Sequence, residues 1–185
     1  MPLLVLDRDG VINEDSDDYI RGLPDWQPVA GSIEAIAQLC QAGYRVAIAT
    51  NQSGLSRGYF GLDELEGIHQ ELCRLVEEAG GAIAGIFYCP HLPDAGCDCR
   101  KPGTGLLKAL EQELEESARD AWFVGDSLKD LQAAEAHGCL PALVLTGKGQ
   151  GTAQRLASAD PGVKAPSAIP IYSDLAAFAR DILDT

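Results

Sequence analysis

The chain has 185 residues, 46% hydrophobic and 23% charged, which fits one globular domain with a sizeable core. Twenty-eight acidic residues against 14 basic ones give a formal net charge of −14, which disfavours nucleic acid and anionic membrane as partners. The first apolar run, Pro2 to Leu6, is too short for a signal-peptide core and no membrane-length run follows, so a cytoplasmic location without structural disulfides is expected.

Leu3–Leu6 reads as a buried strand ending at Asp7. A long irregular stretch from Gly10 to Val29 follows, and loops of that length are usually functional. Ser32 is the expected N-cap of a helix with Ile33, Ile36 and Leu39 on one face and Gly43 as its stop. Val46–Ala49 is the next strand, ending at Thr50. Asp63 and Glu66 have capping-box spacing for a helix carrying Leu65, Ile68, Leu72 and Val76 that ends at Gly80-Gly81.

Ile86–Tyr88 reads as a short strand, and a loop rich in Cys, Pro, Gly and Asp runs to Arg100. A helix from about Thr104 presents Leu107, Leu110 and Leu114. Ala121–Val124 is a strand ending at Gly125-Asp126, and a helix through Leu131 and Ala134 stops near Gly138. Ala142–Leu145 is a strand, Gly147–Gly151 a flexible loop, and Ile169–Tyr172 an edge strand before a final helix. Strands alternating with helices imply a single α/β domain, residues 1–185, with a doubly wound, Rossmann-like parallel sheet covered on both faces.

Asp7, Thr50 and Asp126 each fall just past the carboxyl end of an expected strand, the edge where open parallel sheets hold ligands. Asp7 and Asp9 can divide labour, one attacking and the other moving protons. A carboxylate that attacks an anionic phosphate needs a hard divalent cation between them, for which Asp7 and Asp126 are the expected carboxylates. Asp130, one helical turn after Asp126, is placed to support that site. Thr50, Asn51, Gln52 and Ser53 offer hydroxyls, amides and backbone N–H groups to phosphate oxygens, and Arg100-Lys101 adds cations.

Cys89, His91, Cys97 and Cys99 put three thiols and an imidazole within eleven residues, a set that suits a closed, structural Zn²⁺ site bracing the loop before Arg100-Lys101. Cys40, Cys73 and Cys139 are expected to be buried small hydrophobes, and His69 and His137 ordinary helix residues.

Asp7-x-Asp9, Thr50, Lys101 and Gly125-Asp126-x-x-x-Asp130 resemble, in order, the four motifs of the haloacid dehalogenase superfamily. The resemblance implies a Mg²⁺-dependent phosphatase. Asp7 would be nucleophile and metal ligand, and Asp9 general acid/base with its backbone carbonyl on the metal. Thr50 and Lys101 would be the phosphate clamps, and Asp126 the third protein ligand.

The zinc loop narrows the resemblance to two phosphatase families. Residues 7–13 and 50–58 are similar to the heptose bisphosphatases of nucleotide-activated heptose (lipopolysaccharide precursor) synthesis. The short loop 89–102 is at least as similar in length to the histidinol-phosphate phosphatases. The first resemblance implies that Arg100 meets a distal phosphate, assisted by Gln52, Ser53 and Arg57. It also implies that Asp15, Asp17 and Asp18 bond sugar hydroxyls. Ser127 stands where some relatives carry a basic residue, with Lys129 nearby. No separate cap is expected, and a monomer acting on a small phosphorylated sugar is the favoured reading. A phosphoacceptor module without turnover is the alternative from another class.

Overall fold

In the computed structural model, which describes residues 1–185, one six-stranded sheet organises the chain. Its strands are β1 (Leu3–Leu6), β2 (Arg45–Asn51), β3 (Ile83–Cys89), β4 (Trp122–Gly125), β5 (Leu140–Val144) and β6 (Ile171–Tyr172). All neighbours pair in parallel, in the spatial order β3-β2-β1-β4-β5-β6. The helices are α1 (Ser32–Gln41), α2 (Leu62–Glu78), α3 (Gly105–Leu114), α4 (Leu128–His137), α5 (Gly149–Leu156) and α6 (Leu175–Leu183). No helix is long and apolar enough to cross a membrane.

The two-residue period of a strand sends alternate side chains to opposite faces. Leu4 and Leu6 of β1 join Ile33, Ile36 and Leu39 of α1, Ile68, Leu72 and Val76 of α2, and Phe178 of α6 in one core cluster. Leu3 and Val5 face the other way, onto Leu107, Leu110 and Leu114 of α3 and Ala133 and Ala134 of α4. Both faces of β1 are thus covered, which is why it reads as an unbroken apolar run. Strand order reverses beside β1, so the carboxyl ends of β1, β2 and β4 open the crevice expected at such a switch point.

The expected elements are present, with several shifted boundaries. Strand β2 runs on to Asn51, so Thr50 lies inside the strand rather than beyond it. The expected three-residue strand before Cys89 is the seven-residue edge strand β3. Gly31, at φ 79°, rather than Ser32 is the N-cap of α1. The Ser32 hydroxyl instead donates to the Ile12 carbonyl at 2.6 Å and ties α1 to the loop after β1. At α2 the capping carboxylate belongs to Glu64, which accepts from the Gly61 N–H at 2.9 Å; Asp63 and Glu66 do not form the box. Cys40 and Cys73 are only half-buried, whereas Cys139 is buried.

The largest departure is α5, which occupies part of the expected flexible loop at Gly147–Gly151. Each glycine disfavours a helix by about 1 kcal/mol relative to alanine. Tertiary contacts overcome this. Leu156 packs with Leu131, Leu143 and Ile169, and the Thr152 hydroxyl donates to the Asp126 carbonyl at 2.7 Å.

Leu72 is fully buried between α2 and the sheet. Leu72→Ala is expected to lower unfolding stability by about 2–5 kcal/mol, read as a shift of the urea midpoint at unchanged slope. A cost below about 1 kcal/mol would remove α2 from the core.

Candidate active site

Three acidic side chains meet at the carboxyl rim of β1 and β4. One oxygen each from Asp7, Asp126 and Asp130 lies within 4.8 Å of the others, and all three residues are buried. Asp7 leaves β1 and Asp126 leaves β4, whereas Asp130 sits in the first turn of α4. Gly10 (φ 86°) and Gly147 (φ 57°) let two loops press onto the Asp126 carboxylate, where any Cβ would collide with it. The Lys148 N–H donates to Asp126 Oδ2 at 2.8 Å.

The Lys101 ammonium is inserted into this cluster. It lies 2.8 Å from Asp7 Oδ1, 2.6 Å from Asp130 Oδ1 and 2.8 Å from the Ala49 carbonyl. Burial alone would lower the Lys101 pKa, but the charges of Asp130 and Asp7 outweigh it and raise it. Asp130 Oδ2 meanwhile accepts from the N–H groups of Asp126 and Ser127 and from the Ser127 hydroxyl. Ser127 therefore caps α4, with its hydroxyl turned to Asp130.

Lys101 leaves the acids under-compensated. Burial, then the charges of Asp7 and Asp130, push Asp126 up to about 9. Burial and the Asp130 charge, offset in part by Lys101, push Asp7 up to about 7. The donor set is all oxygen and short of positive charge, which fits Mg²⁺ between Asp7 and Asp126.

Asp9 lies on the same rim under different control. Its carboxylate accepts from Arg8 Nε at 2.9 Å, Asn13 at 3.0 Å and Gln52 at 3.0 Å. Burial would raise its pKa, but the Arg8 charge and these hydrogen bonds lower it.

These groups line a cleft of about 440 Å³ whose walls include Asp15, Asp17, Thr50, Asn51, Gln52, Ser53, Arg100, Ser127 and Lys129. Asn51 faces the cleft, but its side chain is occupied. Its amide nitrogen donates to the Lys101 carbonyl at 3.1 Å and its oxygen accepts the Lys101 N–H at 3.0 Å. Asp18 and Arg57 do not reach the cleft; Arg57 lies over the Tyr19 ring, 5.9 Å from its centre. Sequence reasoning missed Tyr19, Thr152 and Lys148, whose ammonium is 3.8 Å from Asp15. The one available signal for Lys148 was its place between two glycines. It also missed Arg8, Asn13 and His69, which touch Asp9 or its neighbour. His137 likewise has a partner, Glu111, at 3.1 Å.

The loop after β3 gathers Cys89, His91, Cys97 and Cys99. The Cys89–Cys97 sulfurs are 3.7 Å apart, Cys89–Cys99 3.0 Å, and His91 Nδ1 lies 3.4 and 3.1 Å from Cys89 and Cys99. A tetrahedron with Zn–S of about 2.3 Å has S···S edges near 3.7 Å, so the four donors fit zinc after small adjustments. No pair is disulfide-bonded. The Arg100 N–H, ahead of smaller effects, lowers Cys97 to about 7, which favours the thiolate a metal binds.

A parallel sheet with this acidic rim and buried lysine defines the haloacid dehalogenase-like hydrolase class, and residues 98–169 match a HAD-hydrolase-like family model. A D-glycero-beta-D-manno-heptose-1,7-bisphosphate 7-phosphatase of Pseudomonas putida is 52% identical over 99% of this chain and 100% of its own length. An enzyme of the same name from Neisseria meningitidis is 46% identical over 99% of this chain and 95% of its own. The crystal structure of D,D-heptose 1,7-bisphosphate phosphatase from B. bronchiseptica, complexed with magnesium and phosphate, superposes with a TM-score of 0.91. It is 42% identical and the match covers 100% and 99% of the two chains. The chain belongs to this heptose bisphosphatase family.

Two tests follow from the site. Asp7 and Asp126 bind protons more tightly when folded than unfolded, so the stability they contribute is complete below about pH 4 and is lost as pH rises through about 7 to 9. Metal-free protein is therefore expected to melt lower at about pH 8 than at about pH 5, with added Mg²⁺ restoring more at the higher pH. An equal Mg²⁺ effect at both values would contradict the shared-cation site. Cys99→Ser is expected to lose bound zinc by elemental analysis and to melt lower; wild-type protein purified without zinc would refute that assignment.

Proposed function

We propose that this chain hydrolyses the 7-phosphate of D-glycero-beta-D-manno-heptose 1,7-bisphosphate through an aspartyl-phosphate on Asp7. One observation carries the reading: Lys101 occupies Asp7 Oδ1 and leaves the second oxygen free to attack at the sheet's switch point. The relatives' shared name favours the heptose substrate over histidinol phosphate, and turnover over a silent phosphoacceptor.

In the first step the free Asp7 oxygen bonds to phosphorus and the bond from phosphorus to the sugar oxygen breaks. Asp9 gives that oxygen a proton. Its pKa is lowered in the free enzyme, so it takes up the proton it delivers from solvent as the incoming phosphate's negative charge raises its proton affinity. In the second step Asp9 takes a proton from water, the water oxygen bonds to phosphorus, and the bond to Asp7 breaks, releasing phosphate. Asp7, Asp126 and the Asp9 carbonyl would hold Mg²⁺, which would supply positive charge to offset the repulsion between carboxylate and phosphate. Thr50 and Lys101 hold the transferring group, and Asp130 holds Lys101.

The second phosphate would meet Arg100, Lys129 and Lys148 on the cleft wall. Burial, then the repulsion of Arg100 and Lys148, lowers the Lys129 pKa, so an anion there relieves crowded positive charge. Asp15 and Asp17 are set to bond sugar hydroxyls, whereas Asp18 and Arg57 lie outside the cleft lining.

Phosphate release from the heptose bisphosphate and from histidinol phosphate, measured side by side, tests the substrate. Asp7→Asn should lower kcat by about 10³-fold or more, without loss of fold by circular dichroism. Equal or better turnover of histidinol phosphate, or an active Asp7→Asn variant, would sink the proposal.

A further inference from the structure

Arg8 stands between the two aspartates of the Asp7-x-Asp9 pair, yet its side chain is wholly buried and points away from the cleft. A guanidinium in that position must have partners, because an unpaired buried charge is costly. It has two. On one side Nε donates to Asp9 Oδ1 at 2.9 Å, and Nη2 lies 2.8 Å from the same oxygen as an ion pair. On the other, Nη1 lies 3.1 Å from Nε2 of His69, which is carried by α2.

Arginine only donates, so His69 Nε2 must be the acceptor and the imidazole must be neutral with its proton on Nδ1. Burial, then the Arg8 charge, agrees with this by lowering the His69 pKa to about 4. The Tyr88 ring of β3, with its centre 6.2 Å from the His69 ring, closes the remaining side. Asp9 is thus anchored to helix α2 through a relay, in addition to its contacts with Asn13 and Gln52.

We propose that His69 is a positioning residue: by accepting from Arg8 it fixes the guanidinium that holds the Asp9 carboxylate in place for water attack on the phosphorylated Asp7. The step served is the second one above, in which Asp9 must wait, correctly aimed, for a water that binds weakly. This rests on the acid/base role given to Asp9.

His69→Leu removes the acceptor while keeping an apolar side chain; His69→Gln retains an acceptor. If hydrolysis of the phosphoenzyme is the step that suffers, kcat and KM should fall together in His69→Leu by about 10-fold, with kcat/KM nearly unchanged. The acid-stable fraction of phosphorylated protein in rapid-quench samples should rise. His69→Gln should recover most of the rate. An unchanged kcat in His69→Leu, or an equal loss of kcat/KM in both variants with no accumulated phosphoenzyme, would overturn the proposal. The assays are run on p-nitrophenyl phosphate as well as on the heptose bisphosphate. Wild-type turnover of the first alone would refute the substrate reading and leave the relay still testable.

Discussion

The site is organised around one buried ammonium, that of Lys101, held between Asp7 and Asp130. Bringing three ionised groups out of water costs several kcal/mol per ion, and the arrangement persists only because each group is multiply partnered. Beside Asp7, two separate parts of the chain supply those partners, and a third brings the lysine. The β2 end provides the Ala49 carbonyl and the Asn51 side chain that clips the Lys101 backbone. The start of α4 provides Asp130, whose other oxygen caps that helix and takes the Asp126 N–H. The Cys–His loop delivers Lys101 itself, since Cys99 precedes it by two residues. A metal held by that loop would therefore bear on whether the lysine arrives.

Charge accounting then explains the need for a cation. Asp7, Asp9, Asp126 and Asp130 face Lys101 and Arg8, which leaves two negative charges on the rim. Burial first, and then that excess, push Asp7 and Asp126 upward, and a divalent ion would cancel the excess. The two cations serve different acids. Each cation pulls down the acid it touches, but at Asp7 burial and the Asp130 charge outweigh Lys101, whereas at Asp9 the Arg8 charge and the hydrogen bonds of Asn13, Arg8 and Gln52 outweigh burial, so carboxylates separated by one residue acquire opposite shifts. Divergent environments of this kind are how paired acids take different roles.

Much of this was legible in the sequence because it follows from strand ends. Asp7 and Asp126 directly follow apolar runs, and the parallel sheet brings those ends together. The Cys–His cluster was legible for another reason, the closeness of its four residues in sequence. What escaped were groups whose role depends on packing across the sheet. His69 follows an apolar helix face and carries no local mark, yet α2 delivers it to Arg8. Helix α5 was hidden by glycines whose low propensity is overridden by Leu156 and by the Thr152 bond to Asp126. Asn51 and Ser127 were recognised as polar residues at the rim, but their hydrogen-bond capacity is spent on Lys101 and Asp130.

The same competition for partners shapes the entrance. No separate domain is inserted after β1 or β2, so the cleft wall is the loop between β1 and α1. Tyr19 in that loop holds φ at 68°, a strained value for a residue with a side chain. Its ring packs edge-on against Tyr59 at 5.0 Å, Arg57 lies over Tyr19, and Arg21 lies over Tyr59 at 4.3 Å. Such contacts are each worth about 0.5–1.5 kcal/mol, enough together to offset strain of the same order. Arg57 thereby packs on the wall outside the cleft lining. With no second domain to shape the mouth, this small aromatic–guanidinium cluster is what ties the β1–α1 loop to the segment before α2.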